Sequence, residues 1–306
     1  MSETPQHWGV PALWQQLSPL LPGLSIEVVE RVGSTNTVLL ERARPGGRMP
    51  REAGDAARPS ASGSGSGSAT ENPAFGRRAI DFQPCLLVAE QQVNGRGRQG
   101  RTWHSAPGSS LTFSLGLLLQ PPDWAGLSLA VGVALAEALA GSARPPRVGV
   151  KWPNDLWLMD APGQGRKLAG ILIETVQAGS SRLAAIGIGI NVRPLPTLDA
   201  SQGVACLAEV EPDVQPSAVL ARIALPLVQA LRTFESRGFE AFEARYAAFD
   251  VLADRPVRTT RGDALEGVAR GVAADGSLRV ETAAGVVHLT SGEVGVRPHA
   301  GSDRSS

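Results

Sequence analysis

A Gly-x-Gly-x-x-Gly run constrains a chain by what flanks it: between a strand and a helix it builds a doubly wound dinucleotide-binding sheet, and between two strands it cannot. The run here is Gly95-Arg-Gly-Arg-Gln-Gly100, followed by polar, proline-containing residues from Thr102 to Ser110 and then by an alternating, strand-like stretch, Ser110 to Leu119. No helix opens at the last glycine, so the dinucleotide reading fails on context. What remains is a connection, Val93 to Ser105, holding three arginines (Arg96, Arg98, Arg101) and three glycines within seven residues. A guanidinium matches a carboxylate or phosphate oxygen pair, and a backbone without Cβ atoms can wrap a small ligand closely. The loop therefore reads as a lid that orders on an anion, set against the plainer reading of an exposed basic hairpin.

The rest of the chain decides which anion is plausible. At 306 residues and 42% apolar content it can bury a full core, with room for one large domain and a small one. Formal net charge is zero, so the arginines point to a small anion and not to a nucleic-acid duplex. Only Cys85 and Cys206 are present, and His7, His104, His288 and His299 are scattered; neither a disulfide framework nor a metal-ligand spacing emerges. No run approaches the ~20 apolar residues of a membrane span and no basic-then-apolar leader opens the chain, so the expectation is a cytoplasmic protein away from membranes.

Taken in order, the pattern predicts a short helix near Pro11–Leu20, a strand over Ser25–Val32, and a turn with helix N-cap at Gly33-Ser-Thr-Asn36. Pro45 to Ile80, rich in Gly, Ser and Pro, reads as a disordered insertion. Cys85–Glu90 reads as a strand that delivers Gln91-Gln92 to the basic loop. Asp123–Ala140 is the clearest helix, capped by Asp123 and stopped by Gly141. Val148–Trp157 is a strand end running into the Trp152-Pro-Asn-Asp turn, where Asn154 and Asp155 serve as turn-formers or as polar groups facing a cleft. Asp160–Arg166 reads as a turn, after which Lys167–Val176 and Arg182–Val192 form an antiparallel hairpin. Gly187 and Gly189 within it mean either ligand approach or packing against Trp152. A short helical turn at Val204–Ala208 and helices over Ser217–Arg237 and Phe239–Phe249 follow. From Val257, short strands with turns at Arg261-Gly-Asp, Ala274-Asp-Gly-Ser and Ala283-Ala-Gly suggest a small barrel.

Five blocks, Gly33-Ser-Thr-Asn36, the arginine–glycine loop, Lys151-Trp-Pro-Asn-Asp-Leu156, Lys167-Leu-Ala-Gly-Ile-Leu172 and Gly187-Ile-Gly-Ile-Asn191, together resemble the motif set of the biotin protein ligases in order and spacing. A weaker match runs on to Pro298, through Leu289–Val294 and Arg297. The resemblance implies an α+β fold: a mixed β-sheet flanked by helices, like a class II aminoacyl-tRNA synthetase, plus a small C-terminal SH3-like β-barrel. The implied division is 1–24 as an extension, 25–252 as the catalytic domain with 45–80 inserted, 253–298 as the SH3-like domain and 299–306 as a tail.

The resemblance also implies the chemistry. Biotin and MgATP give biotinyl-5'-AMP, and a lysine of a biotin carboxyl carrier protein, such as an acetyl-CoA carboxylase subunit, then takes the acyl group. Biotin would contact Ser34, Thr35, Asn36, Gln92 (chosen over Gln91 by spacing), Gly95, Arg96, Arg98, Lys167 and Gly187. The adenylate would lie against Arg96, Arg98, Arg101, Trp103, Asn154, Asp155 and Asn191, with Arg98, Lys167 and Asp155 catalytic and Asp155 reaching Mg²⁺. Consistent with that chemistry, the sequence has no Walker P-loop and no nucleophile paired with a base. Some relatives carry a DNA-binding helix-turn-helix before the ligase part; with the ligase-like region starting near Ser25, DNA is not expected as a partner, while a homodimer is compatible with the family. A lipoate or octanoate ligase is the nearest alternative enzyme, and a biotin-sensing regulatory protein the alternative from another class.

Overall fold

In the computed structural model the described residues are 7–44, 82–140, 147–161, 164–178, 181–195, 203–260, 265–290 and 296–298. The 45–80 insertion, the Gly141 stop, the Arg261 turn, most of the Leu289–Val294 block and the 299–306 tail lie outside them.

Seven strands form one mixed sheet in the order β1-β2-β3-β7-β6-β5-β4. They are β1 (Ser25–Val32), β2 (Cys85–Gln92), β3 (Ser110–Leu119), β4 (Val148–Lys151), β5 (Asp155–Ala161), β6 (Gln164–Ala178) and β7 (Ser181–Asn191). Only β1 and β2 run parallel; every other neighbouring pair is antiparallel. Five helices flank it: α1 (Val10–Leu17), α2 (Thr35–Arg42), α3 (Leu127–Ala140), α4 (Pro216–Arg237) and α5 (Glu243–Ala247).

Strand period 2 gives the sheet two unlike faces. Leu86 and Val88 of β2, Leu111, Leu115 and Leu117 of β3, Ile171 of β6 and Ile186, Ile188 and Ile190 of β7 join the main core with α1, α3 and α4. Each such side chain contributes roughly 1.5–3 kcal/mol on burial. The opposite face carries Cys85 and Leu87, Thr112 and Ser114, Gly170, Gly187 and Gly189, and is covered only in part, by α2 through Leu39. The glycines leave an open floor there. The alternation in β3 is thus not core against solvent, since Ser110, Thr112 and Ser114 are buried too.

Helix α3 is apolar over most of its surface, Glu137 excepted, because α4 covers its far side. It starts at Leu127, four residues after the expected cap: Asp123 Oδ1 accepts from Ala125 N and fixes a preceding turn instead. The β5–β6 hairpin is longer than expected, running to Ala161 and back from Gln164. Asp160 and Arg166, expected in a turn, face each other across it in a two-pronged ion pair of 2.6 and 2.8 Å, so Lys167 lies inside a strand and does not open it. Phe239–Phe249 splits into a 3-10 turn, Phe239–Phe242, and the short α5. Pro216–Arg237 has the length and composition to cross a membrane, but half of its apolar window is buried against the core.

The C-terminal strands β8 (Pro256–Thr259), β9 (Glu266–Val272), β10 (Leu278–Thr282), β11 (Gly285–Leu289) and β12 (Val296–Pro298) make a separate antiparallel sheet, ordered β11-β10-β9-β8-β12. Its buried Val257, Ala269, Leu278 and Val280 are continuous with the main core. Trp152, fully buried, donates its indole N–H to Gly276 O at 3.1 Å and so ties the turn after β4 to this sheet.

Candidate active site

The basic loop is a folded hairpin. Gly97 N donates to Arg101 O at 2.7 Å, Trp103 N donates to Gly95 O at 2.9 Å, and Arg96 bridges Thr102. Its tip, Arg98–Gly100, turns through left-handed backbone at Gln99 (φ 55) and Gly100 (φ 71). The loop, expected from composition to order on a ligand, is here already folded by its own hydrogen bonds.

Beneath it lies an open cavity of about 190 Å³. Its floor is the glycine row. A Cβ on Gly189 would fall 2.3 Å from Trp103 Cε2, and one on Gly187 2.6 Å from Asn36 Oδ1. Gly189 therefore packs on Trp103, not on Trp152 as one sequence reading had it. In register, Thr112, Gly189, Gly170 and Asp155 stand side by side across β3, β7, β6 and β5, and Lys151 is opposite Asp155 on β4.

One end of the cavity is polar and neutral. Ser34 holds the N-cap position of α2 with extended backbone but makes no side-chain cap bond. Gln92 Oε1 takes over that role, accepting from Thr35 N at 2.7 Å and from Thr35 Oγ1 at 3.1 Å. Thr35 Oγ1 also meets Ser114 Oγ at 2.6 Å. Asn36 spends its amide hydrogens on Leu172 O (3.0 Å) and Glu174 Oε2 (2.9 Å), and its oxygen accepts from Ser114 at 2.7 Å. Thr35 and Asn36 are thus committed to the protein. The Ser34 hydroxyl and the Gln92 amide nitrogen, both lining the cavity, make no hydrogen bond among the described residues.

The other end is cationic. Arg96, Arg98, Arg101, Lys151 and Lys167 line the cavity with a single carboxylate, Asp155. Lys167 Nζ lies 2.7 Å from Asp155 Oδ1, Arg98 Nη1 donates to Asn154 Oδ1 at 3.2 Å, and Asn154 Nδ2 caps Ile171 O at 2.8 Å. Lys151, almost fully buried, places its ammonium 5.2 Å above the Trp157 ring. Burial lowers the pKa of Arg98, with the charge of Asp155 opposing the shift; a guanidinium remains protonated. Arg96 also reaches Glu174, which lies behind the lining, at 3.2 Å; the remaining excess of lining cations over Asp155 suits this end to a multiply charged anion.

Lys167 is aimed by an irregularity. The β5 pairing slips between Leu156 and Trp157, so Lys167 stands opposite Trp157 while its backbone N and O bond Gly203 O and Ala205 N, both at 2.9 Å. Arg166 holds that outer segment through Glu209 at 2.6 Å.

Ser34, Thr35, Asn36, Gln92, Arg96, Arg98, Arg101, Trp103, Asn154, Asp155, Lys167 and Gly187 come together on the cavity. Gln91 does not line it. Gly95 and Asn191 also stand off. Gly95 lies against the Trp103 carbonyl, and Asn191 donates to Ala205 O at 3.1 Å, bracing the segment beside Lys167. Not singled out from sequence were Lys151 and Gly170, although each sits inside a quoted motif, while Gly189, read there as a point of close approach, does line the cavity. Thr260 and Val296, contributed by the C-terminal sheet, carry no local signal at all. Among the described residues no three His, Cys, Asp or Glu side chains cluster as a metal cage. Asp155 alone suits Mg²⁺ held mostly by substrate phosphates, not a stand-alone metal centre.

Residues 82–191 match the biotin/lipoate A/B protein ligase family, and 254–297 match the biotin protein ligase C terminal domain. The bifunctional ligase/repressor BirA of Salmonella typhimurium is 37% identical over 216 residues, 69% of this chain and 66% of that protein, so the match spans about two thirds of that relative's length. The biotin–[acetyl-CoA-carboxylase] ligase of Mycobacterium tuberculosis is 28% identical over 287 residues, 88% of each chain. The biotin protein ligase of Aquifex aeolicus in complex with biotin and ATP shares the fold, with a TM-score of 0.65 at 24% identity over 90% of this chain and 99% of that one.

Proposed function

The chain belongs to the biotin protein ligase family, and from this premise we propose that it activates biotin with ATP and passes it to a lysine of a biotin carboxyl carrier protein. One observation carries the reading: the glycine floor joins a neutral end, with Ser34 and Gln92 unspent, to an end lined by five cations and one carboxylate. A ligand with an uncharged hydrogen-bonding head and an acidic tail fits that polarity, with a polyphosphate beside the tail.

In the first step a carboxylate oxygen of biotin attacks the α-phosphorus of ATP, forming the acyl–phosphate bond and expelling pyrophosphate. Lys167 orients the attacking carboxylate, while Arg96, Arg98 and Arg101 neutralise charge that builds on phosphoryl oxygens. Asp155 would hold Mg²⁺, which would supply further charge neutralisation to the phosphates. In the second step a neutral lysine amine attacks the acyl carbon, an amide forms and AMP leaves. The folded hairpin keeps water from the mixed anhydride meanwhile.

For the carrier, the sheet supplies a place. Strand β6 pairs with β5 only as far as Gly170, and beyond it Leu172–Ala178 has β7 on one side and no strand on the other among the described residues. An open edge of this kind accepts an added strand, from the carrier or from a second copy of the chain in a homodimer.

Incubation with MgATP and biotin, lipoate or octanoate in turn, with and without a carrier domain, tests the reading. Pyrophosphate exchange and carrier labelling with biotin alone are expected. Exchange with lipoate or octanoate in preference to biotin would transfer the assignment to that ligase class, and biotin binding without exchange would leave a sensor.

A further inference from the structure

Glu174 lies on β6 two residues beyond Leu172, on the same face as Gly170, and does not line the cavity. Its two carboxylate oxygens hold opposite walls of the site. Oε2 accepts from Asn36 Nδ2 at 2.9 Å, and Oε1 lies 3.2 Å from Arg96 Nη2. Asn36 is 2% exposed and has nowhere to go: Leu172 O and Ser114 Oγ hold its other polar groups, and Gly187 packs against its oxygen. The carboxylate is thereby fixed before Arg96 arrives.

Exposed ion pairs usually contribute little, because two long side chains must be ordered for one contact. Here only Arg96 is ordered on pairing, and it sits between Gly95 and Gly97 in the hairpin. The guanidinium has five N–H donors, so pairing with Glu174 leaves others to face an anion.

We infer that Glu174 is a positioning residue that latches the arginine hairpin to the wall built by Asn36, so that the Ser34–Asn36 end and closure over the cationic end are coupled. The inference rests on the ligase reading for its consequence, retention of the activated acid, and on geometry alone for the latch. Removal of the carboxylate loosens the hairpin; removal of its charge alone keeps the Asn36 contact and loosens it less.

Two measurements on the full chain separate these. Trypsin cleavage after Arg96, Arg98 and Arg101 in the protein without substrates is expected to run several-fold faster in Glu174→Ala than in wild type, with Glu174→Gln between them. Release of preformed biotinyl-5'-AMP is expected to speed up about two- to fivefold in Glu174→Ala, the upper range for a pair of this kind. Arg96→Ala/Glu174→Ala should release it no faster than Arg96→Ala, since a shared contact cannot be lost twice. Thermal melting within a few degrees of wild type in Glu174→Gln keeps the comparison among folded proteins. Wild-type cleavage and release in both variants, or additive effects in the double variant, would overturn the latch. Absence of any adenylate in wild type would instead defeat the ligase reading, while the cleavage comparison would still judge Glu174.

Discussion

Lys167 Nζ and Asp155 Oδ1 lie 2.7 Å apart, so the cation expected to orient the acid and the carboxylate expected to reach the metal neutralise one another before substrates bind. Both are partly solvated, so the pair can open at modest cost to serve separate anionic and cationic partners. Lys167→Ala is expected to lower pyrophosphate exchange by about 10²–10³, the usual loss for one preorganised charge at a reacting centre. It also leaves Asp155 facing the triphosphate without its counter-charge. Lys167→Ala/Asp155→Asn should therefore recover part of the KM for ATP but little of kcat. Equal KM in the single and double variants would show that the pair does not gate nucleotide binding.

Arg98 is half-buried under the hairpin tip and reaches Asn154 at 3.2 Å, linking the lid to the turn that also carries Asp155. A lysine there keeps the charge but not the planar fork that grips phosphate and amide together. Arg98→Lys and Arg98→Ala should thus both shed the adenylate faster than wild type, the alanine variant more so and with lower exchange. Rapid-quench measurement of bound against free intermediate checks this; full retention in both would remove Arg98 from the lid.

At Gly189 the backbone is ordinary strand, and the constraint is space alone, with the Trp103 ring 2.3–2.8 Å from an added Cβ. Gly189→Ala must push the indole up into the cavity. The cost is expected at about 1–3 kcal/mol in stability, as for other overpacked sites, together with weaker biotin binding. Trp103→Phe in the same chain should restore part of both. Calorimetric titration and thermal melting report the two effects; an unchanged biotin affinity in Gly189→Ala would mean that Trp103 does not wall the ligand.

Much of this arrangement was legible because strands and motifs obey local rules. The Ile-Gly-Ile-Gly-Ile pattern from 186 to 190 states a sheet with helices on one side and room on the other. Spacing placed Gln92 rightly on the cavity, but its role in capping α2 depends on contact with a helix 57 residues earlier. Ser34 looked like a cap for the same reason, since residue type alone cannot show which oxygen the helix will use. Glu174 reads as one polar residue in a strand until Asn36 and Arg96 arrive from elsewhere in the chain. Thr260 and Val296 reach the site because the second sheet packs on the first, through its shared core and the Trp152–Gly276 bond.

Asp250 follows α5 and stands at the passage into the second sheet, bridged to Val150 and accepting Leu252 N at 2.8 Å through Oδ1. Its Oδ2 is buried beside the buried Tyr246 hydroxyl, and burial pushes its carboxyl from 3.8 up to about 6, with hydrogen bonds from Leu252 N and Tyr246 opposing the shift. A carboxyl with a raised folded pKa binds its proton more tightly in the folded chain. Between about pH 4 and 6 the unfolded chain has lost that proton while the folded chain keeps it, so stability falls as pH rises across this window and then levels off. The loss is on the order of 2–3 kcal/mol. Asp250→Asn, which stays neutral, should lack this slope, so its melting temperature should gain on wild type from pH 4 to 6 and hold that gain to pH 7. Parallel melting profiles for the two proteins over that range would mean that Asp250 is solvated in solution and that the passage between the sheets is open to water.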